Sequence, residues 1–242
     1  MDQTTKTEPS RTEIWKMFDK ISPTYDLLNK LLSFGLDQYW RRAVCHHLPS
    51  QEALDLLDVA TGTGDQILAL FKKKEYIRQA VGIDLSPEML QYAAAKMRDA
   101  QVSHKVQLHT ASALEIPFKD ATFDLVTISF GIRNVTDLEG ALGEMHRTLK
   151  PGGRLIVLEF SKPSHPLLSW GHLFYLRHCI PRIAGFISKQ PEAYRYLDQT
   201  IETFPTGNNF TEKMQKVGFI DCKIKPLSGG IVSLYIGNKA SC

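Results

Sequence analysis

The chain has 242 residues, enough for one α/β domain with extra helices, and its 29 Lys and Arg exceed its 26 Asp and Glu by only three. So small a basic excess, spread along the chain and not striped, leaves no footprint for nucleic acid. Cys45, Cys179, Cys222 and Cys242 form neither a C-x-x-C pair nor a zinc pattern with the histidines. The N-terminus MDQTTKTEPSRTE lacks the apolar core of a secretory signal, and no run approaches the roughly 18 apolar residues of a membrane span. A cytoplasmic protein with reduced thiols is expected, touching a membrane only peripherally, at its inner face.

Residues 1–10 are expected to be disordered and residues 11–242 to form a single domain, beginning with cap helices over 11–48. From Arg11, Ile14, Met17, Phe18 and Ile21 fall at the i, i+3, i+4, i+7 spacing of a helix with one buried face, and Pro23 is expected to stop it. Tyr25 to Ser33 and Asp37 to His47 read as two more helices broken at Phe34-Gly35, with Leu28, Leu31, Leu32, Trp40 and Val44 as apolar faces. Placed before the first strand, these helices either cap a pocket or pad the sheet.

Around LDLLDVATGTGD the pattern becomes specific. Leu54 to Ala60 is apolar in five of seven positions and reads as a buried strand, and Thr-Gly-Thr-Gly as its tight exit. Asp65 is placed to cap the helix that follows through Ile67, Leu68 and Phe71. Gly62 and Gly64, lacking Cβ atoms, let backbone approach a ligand closely. Gly-x-Gly also occurs in ordinary loops, but a second short strand, Ala80 to Ile83, ends in Asp84, about twenty residues on, where a doubly wound fold places a carboxylate for ribose hydroxyls. Ile67 stands where a dinucleotide site would need its third glycine. By elimination a cofactor without a pyrophosphate fits better, and S-adenosylmethionine offers a ribose for Asp84 and an amino-acid end for the glycine turn.

Further along, Ser86 and Pro87 open a helix with Met89, Leu90, Ala93, Ala94 and Met97 inward. A third strand, Val106 to Thr110, leads to Ala111-Ser112-Ala113, where Ser112 and Ala113 are placed to face an adenine, since ligands of such sheets bind outside the carboxyl ends of the strands. Phe123 to Phe130 is a strand buried on both faces, with Ser129 at its carboxyl end, followed by Gly131, Ile132, Arg133 and Asn134. A capping box from Thr136 to Glu139 starts a helix expected to end at Pro151-Gly152-Gly153, before a fifth strand from Leu155 to Phe160. Five β-α units argue for a parallel sheet with right-handed crossovers.

Residues 162–204 form an insertion rich in Trp170, Leu173, Phe174, Tyr175, Ile180, Ile183, Phe186 and Ile187, with His172, Arg177, His178, Arg182 and Lys189 interleaved. It suits a pocket for a greasy substrate, a surface resting on anionic lipid, or a helix packed on the sheet. Its last part, Glu192 to Phe204, reads as a helix, and Phe210, Met214 and Val217 mark another that Gly218 ends. Phe219 to Lys225 and Ile231 to Ile236 close the sheet as an antiparallel pair, as in the class I methyltransferase sheet.

FDKISPTYDLLNKLLSFGLDQYWRR, LDVATGTGD, TISFGIRNVTD, HRTLKPGGRLIVLEFSKP and LSGGIVSLYIG together resemble the ubiquinone/menaquinone biosynthesis C-methyltransferases, the demethylmenaquinone methyltransferase-like enzymes, from about Ile14 to Lys239. FGIRNVTD and LEFSKP are far more specific than the glycine turn. HLFYLRHCIPRIAGF matches more loosely, so substrate choice transfers least. The resemblance implies a Rossmann-like class I fold with a mostly parallel seven-stranded sheet. The implied reaction is S-adenosylmethionine-dependent methylation of a ring carbon on a polyprenylated quinol, a demethylmenaquinol or a 2-methoxy-6-polyprenyl-1,4-benzoquinol.

By the family pattern Thr63, Asp84, Ser112 with Ala113, and Ser129 contact the cofactor; members often carry Asn in place of Ser112. Arg133 stays protonated and is cast as the group that stabilises a developing oxyanion, with Asn134 orienting the same oxygen. Tyr25 and Asp26, in the PTYD segment, are cast as closing the site, with Asp26 as proton acceptor. The plainer alternatives are that Arg133 only pairs with Glu159 or another acid and that Tyr25 only anchors a helix. No metal is needed for this chemistry, and no cluster is present to hold one. Partners beyond the quinol would be a second copy of the chain or a quinone-synthesis complex. Rival functions are methylation of another small molecule and a cofactor-binding scaffold subunit of such a complex.

Overall fold

A computed structural model of the chain describes residues 14–72, 77–163, 165–180, 182 and 200–241. The expected disorder of residues 1–10 lies outside them, as do Ile183, Phe186, Ile187, Lys189, Cys242 and most of the helix expected over 192–204.

Seven strands form one sheet: β1 (Leu54–Val59), β2 (Ile77–Asp84), β3 (Val106–Thr110), β4 (Phe123–Ser129), β5 (Leu149–Phe160), β6 (Ile220–Leu227) and β7 (Val232–Asn238), in the order β3-β2-β1-β4-β5-β7-β6. Neighbours from β3 to β5 are parallel, and β7 runs antiparallel between β5 and β6. The expected fold class is the one observed. Strand order reverses between β1 and β4, so the crevice where doubly wound sheets bind ligands opens beyond Val59 and Ser129.

Side chains alternate across the sheet at the strand period. Leu57, Val59, Val126, Ile128, Leu155 and Val157 pack on one face against α5 (Leu138–Thr148) and α7 (Asn208–Lys216). Leu56, Leu125, Ile156 and Leu158 pack on the other against α2 (Leu36–Val44), α3 (Asp65–Phe71) and Met97 of α4 (Pro87–Asp99). A third cluster joins Ile21 and Leu28 of α1 (Ile14–Leu32) to Leu176 and Ile180, beyond α6 (Pro166–Phe174), and to Ile201. The described part of the insertion thus packs on the N-terminal helix, beside the carboxyl ends of the strands.

Four local expectations are corrected. Pro23 does not stop the first helix, because α1 runs through it; the Asp19 carbonyl that a proline N–H cannot serve accepts the Ser22 hydroxyl at 2.8 Å. Asp65 does not cap α3, whose N-cap is Gly64 at φ +80°; the Asp65 carboxylate is instead paired with Lys96 at 2.7 Å. The cap of α5 is Asp137, which accepts the Gly140 N–H at 3.0 Å, while Glu139 binds Lys213 and Lys216. Pro151-Gly152-Gly153 does not end α5 but lies inside β5, where the register shifts and Gly152 takes φ +76°. The break at Phe34-Gly35 and the Ser86 cap are as expected, with Ser86 Oγ accepting the Met89 N–H at 3.1 Å.

Candidate active site

At the end of β1 the chain turns sharply, with Ala60 at φ +50° and Gly62 at φ +55°. Asp58, fully enclosed, holds this turn in place: Thr61 Oγ1 donates to one of its oxygens at 2.6 Å and Thr127 Oγ1, on β4, to the other at 2.6 Å. Burial raises its pKa to about 6 even though both hydroxyls favour the carboxylate. Asp84, at the end of β2, accepts the Gly62 N–H at 2.8 Å and the Ser86 N–H at 2.9 Å, and burial raises its pKa too.

These residues wall a cavity at the carboxyl ends of the strands. Of the seven positions expected at a cofactor, Gly62, Asp84, Ser112, Ala113 and Ser129 line it. Ser112 Oγ accepts the Leu114 N–H at 3.1 Å, and Ser129 Oγ donates to Gln66 at 3.0 Å. Thr63 and Gly64 are not part of the wall. The Thr63 side chain is buried, donating to Asp26 at 2.7 Å and accepting from Lys96 at 3.0 Å. Gly64 faces α4, where an added Cβ would stand 2.5 Å from Met97 Cε.

A second cavity adjoins the first. Its wall is mainly apolar, from Ile21, Trp40, Phe130, Phe160, Leu176 and Ile180, with the guanidiniums of Arg41 and Arg133 set into it. Tyr25, Phe130 and Asn134 line both cavities and form the partition between them. Phe130 is placed there by a left-handed backbone, φ +58°, directly after β4.

Arg133 lies in the short turn Ile132–Asn134 after β4 and is 8% exposed. Its Nη1 reaches Glu159 at 2.6 Å and the Phe130 carbonyl at 2.6 Å, and its Cζ sits 5.3 Å from the centre of the Phe160 ring. The plainer alternative for Arg133, pairing with Glu159, is therefore realised, yet Arg133 Nε and Asn134 Oδ1 are buried with no hydrogen-bond partner among the described residues. Asp26 is not brought to this group: its carboxylate accepts Thr63 Oγ1 and pairs with Lys96, below the glycine turn and outside both cavity walls.

The first cavity fits an S-adenosyl group. A Cβ on Gly62 would meet nothing within 4 Å, so the wall is open there, and the Asp84 carboxylate stands beside it. Among the described residues no group of three or more His, Cys, Asp and Glu side chains is placed to hold a metal ion.

Residues 4–239 match the model of the ubiE/COQ5 methyltransferase family. The chain belongs to this family. A ubiquinone/menaquinone biosynthesis C-methyltransferase UbiE from Geobacter sp. (strain M21) is 44% identical, the match covering 92% of this chain and 94% of that one. A demethylmenaquinone methyltransferase from Halalkalibacterium halodurans is 35% identical over 97% of this chain and 96% of its own. Among solved structures, an S-adenosylmethionine-dependent methyltransferase from Thermotoga maritima superposes with a TM-score of 0.65 at 19% identity, over 93% of this chain and 99% of that one. The 4+2 cyclase SpnF superposes with a TM-score of 0.68 at 16% identity, over 98% of each. These likenesses show the shared fold alone; a cyclase among them illustrates that a fold does not name a reaction.

Within this ubiE/COQ5 methyltransferase, three parts of the site escaped the sequence pattern. Asp58 was hidden in a strand read for its apolar residues, although a carboxylate inside a buried run is itself a signal of a polar network. Phe130 read as the last residue of a strand, and Arg41 was given no role of its own, being one of two adjacent arginines on α2. Only the packing of α2 on the sheet separates buried Arg41 from exposed Arg42.

Proposed function

We propose that this protein transfers a methyl group from S-adenosylmethionine to a ring carbon of a polyprenylated quinol, naphthoquinol or benzoquinol, in quinone biosynthesis. The observation that carries this is the pair of adjoining cavities with Tyr25, Phe130 and Asn134 common to both. One holds the features suited to a ribose and an amino-acid end, and the other is apolar with a guanidinium in its wall.

When bound, S-adenosylmethionine supplies an electrophilic methyl group on a positively charged sulfur. Gly62 and Asp84 hold the donor, Ser112 and Ala113 face its adenine, and Ser129 completes that wall; Thr63 and Gly64 shape the turn from beneath. A quinol ring carbon becomes nucleophilic as its hydroxyl, with a pKa near ~10, gives up its proton. Arg133 does not take that proton, because a guanidinium stays charged. Its guanidinium, in the wall of the apolar cavity, stabilises the oxygen as negative charge develops there. Asn134 and Tyr25, set in the partition, align the ring, and alignment of this kind supplies up to about 7–11 kcal/mol in favourable intramolecular reactions. Asp26, tied to Lys96 and Thr63, acts by fixing α1 against the glycine turn and not as the proton acceptor.

Membrane contact belongs to the same proposal. Among the described residues no helix is long and apolar enough to cross a membrane. Phe34, Leu167 and Trp170 are nonetheless 79%, 71% and 67% exposed, and the Phe34 ring contacts that of Tyr175 at 5.8 Å. Phe34 and Tyr175 also line the apolar cavity, so the exposed ring of Phe34 stands at its edge, where a substrate with a lipid-borne tail would enter.

The deciding assay incubates purified protein with methyl-labelled S-adenosylmethionine and a reduced demethylquinol. Label is expected on a ring carbon. Label on oxygen, or none, would overturn the proposal.

A further inference from the structure

Arg41 is the second arginine of the apolar cavity, whose wall also carries Asp37, and among the described residues no carboxylate is paired with Arg41. Trp40 beside it anchors α2 through Nε1 to Ser228 Oγ at 2.8 Å, and the Arg41 carbonyl accepts Gln66 Nε2 at 3.4 Å. The Arg41 side chain is thereby held inside, 7% exposed, with its Cζ 5.4 Å from the centre of the Phe130 ring that divides the two cavities.

Among the described residues its guanidinium has no hydrogen bond and no carboxylate within ion-pair distance, and its Nε is buried without a partner. The acid one helical turn back, Asp37, is the natural i, i+4 partner but binds Ser33 Oγ at 3.1 Å and Gln38 Nε2 at 3.0 Å instead. Asp58, whose ionised form the Arg41 charge favours, has its oxygens taken by Thr61 and Thr127. Arg133, by contrast, has Glu159. Leaving an enclosed cation unpaired is costly, and a ligand that brings a counter-charge relieves that cost.

The geometry points to Arg41 as a second contact for the acceptor in this cavity, binding an acidic ring oxygen and selecting the reduced ring over the oxidised one. This rests on the quinol assignment above. A quinone carbonyl offers only a neutral acceptor, whereas a hydroquinone oxygen that is losing its proton brings the negative charge that the guanidinium lacks, and charge-assisted hydrogen bonds are roughly twice as strong as neutral ones.

The test uses the full chain, with a short-prenyl demethylated 1,4-naphthohydroquinone as substrate, the matching naphthoquinone as competitor, and S-adenosylhomocysteine as a calorimetric probe of the other cavity. Arg41→Gln is expected to lower kcat/KM roughly 10- to 100-fold, the scale of one charged hydrogen bond, in kcat as well as KM because the charge it meets grows as the proton leaves. It should also abolish the preference for the reduced ring while leaving S-adenosylhomocysteine affinity unchanged. Arg41→Lys, which keeps the charge but not the fork, should retain the preference at reduced kcat/KM.

An Arg41→Gln enzyme with unaltered kcat/KM and preference would overturn the assignment. So would equal losses for both ring forms and for S-adenosylhomocysteine, which would make Arg41 a structural counter-charge for Asp58. If Arg41→Gln does not fold, an unchanged kcat/KM in Arg41→Lys overturns it. A wild-type protein that binds S-adenosylhomocysteine but methylates no quinol would instead sink the quinol assignment, and this one with it.

Discussion

Arg133 and Glu159 form an ion pair at 2.6 Å in which the arginine side chain is 7% exposed and the glutamate not at all. Burial pushes the Glu159 pKa up while Arg133 pulls it down, so the acid depends on its partner to remain charged. Removing one member of a buried pair costs roughly 3–5 kcal/mol, whereas replacing both with uncharged groups is often neutral. Arg133→Met should therefore lower stability on that scale and cut turnover about a hundredfold or more. Arg133→Met with Glu159→Gln should recover much of the stability and none of the turnover. Urea unfolding and single-turnover methylation separate the two; recovery of turnover in the double variant would confine Arg133 to a structural role.

The two glycines of the turn should respond differently. Both have positive φ, which costs an L-residue about 1–2 kcal/mol. At Gly64 an added methyl also meets Met97 Cε at 2.5 Å and Ala93 Cβ at 3.2 Å. At Gly62, which lines the first cavity, it meets no protein atom within 4 Å. Gly64→Ala is expected to lose the more thermal stability, and Gly62→Ala to lose the more affinity for S-adenosylhomocysteine. Thermal unfolding and calorimetry on both variants check the ordering, and a reversed order would place the ligand elsewhere.

Asp84 is held in place by the backbone. With the Gly62 and Ser86 N–H groups on its two oxygens, the carboxylate is fixed in orientation while it remains in the cavity wall. Hydrogen bonds to charged groups contribute roughly 1.5–3 kcal/mol. Asp84→Asn should weaken S-adenosylhomocysteine binding about tenfold or more with the fold intact by circular dichroism. Unchanged affinity would remove Asp84 from the donor site.

The central strands were legible because buried parallel strands write themselves as apolar runs, and β3, a partly exposed edge strand, was located to the residue as well. Less legible were the ends of elements where a tertiary contact overrides a local signal. Pro23 reads as a stop only until the Ser22 hydroxyl serves the carbonyl that the proline leaves. Asp65 and Thr136 look like caps, but the partner that decides Asp65, Lys96, lies on another helix, and Asp137 supplies the cap next to Thr136. In the site, Asp84 and Arg133 follow from strand ends and family motifs. Arg41 does not, since its meaning depends on which of two adjacent arginines the packing of Trp40 turns inward.

Asp58 makes stability depend on pH in a direction opposite to that of most paired carboxylates. Its pKa is raised from the usual 3.8 to about 6, so the folded chain holds this proton more tightly than the unfolded one. Its contribution to stability is therefore largest at low pH and declines as pH rises through that window. At about 1.4 kcal/mol per pH unit, the stability of wild type relative to Asp58→Asn should fall by on the order of 3 kcal/mol between about pH 4 and pH 6, then level off. Urea unfolding of both proteins across this range measures the difference, in which the other titrating groups cancel. A constant difference would mean that Asp58 stays charged throughout.

Leu167 and Trp170 lie on α6, and with Phe174, half exposed, they form an apolar face that is not part of either cavity wall. Trp170 and Phe174 stack at 5.8 Å and present one continuous surface. Side chains of this size gain about 1.5–3 kcal/mol each when fully withdrawn from water, so partial insertion of three contributes a few kcal/mol, on the scale of reversible membrane binding. Replacing all three with serine should lower binding to phosphatidylcholine–phosphatidylglycerol vesicles by roughly tenfold or more, as read by flotation. Turnover of a short-prenyl quinol in detergent should be unchanged, because the substituted side chains touch neither cavity. If the variant floats as well as wild type, the exposed face of α6 has another partner; if turnover in detergent falls with flotation, α6 shapes the acceptor cavity and does more than carry it to the membrane.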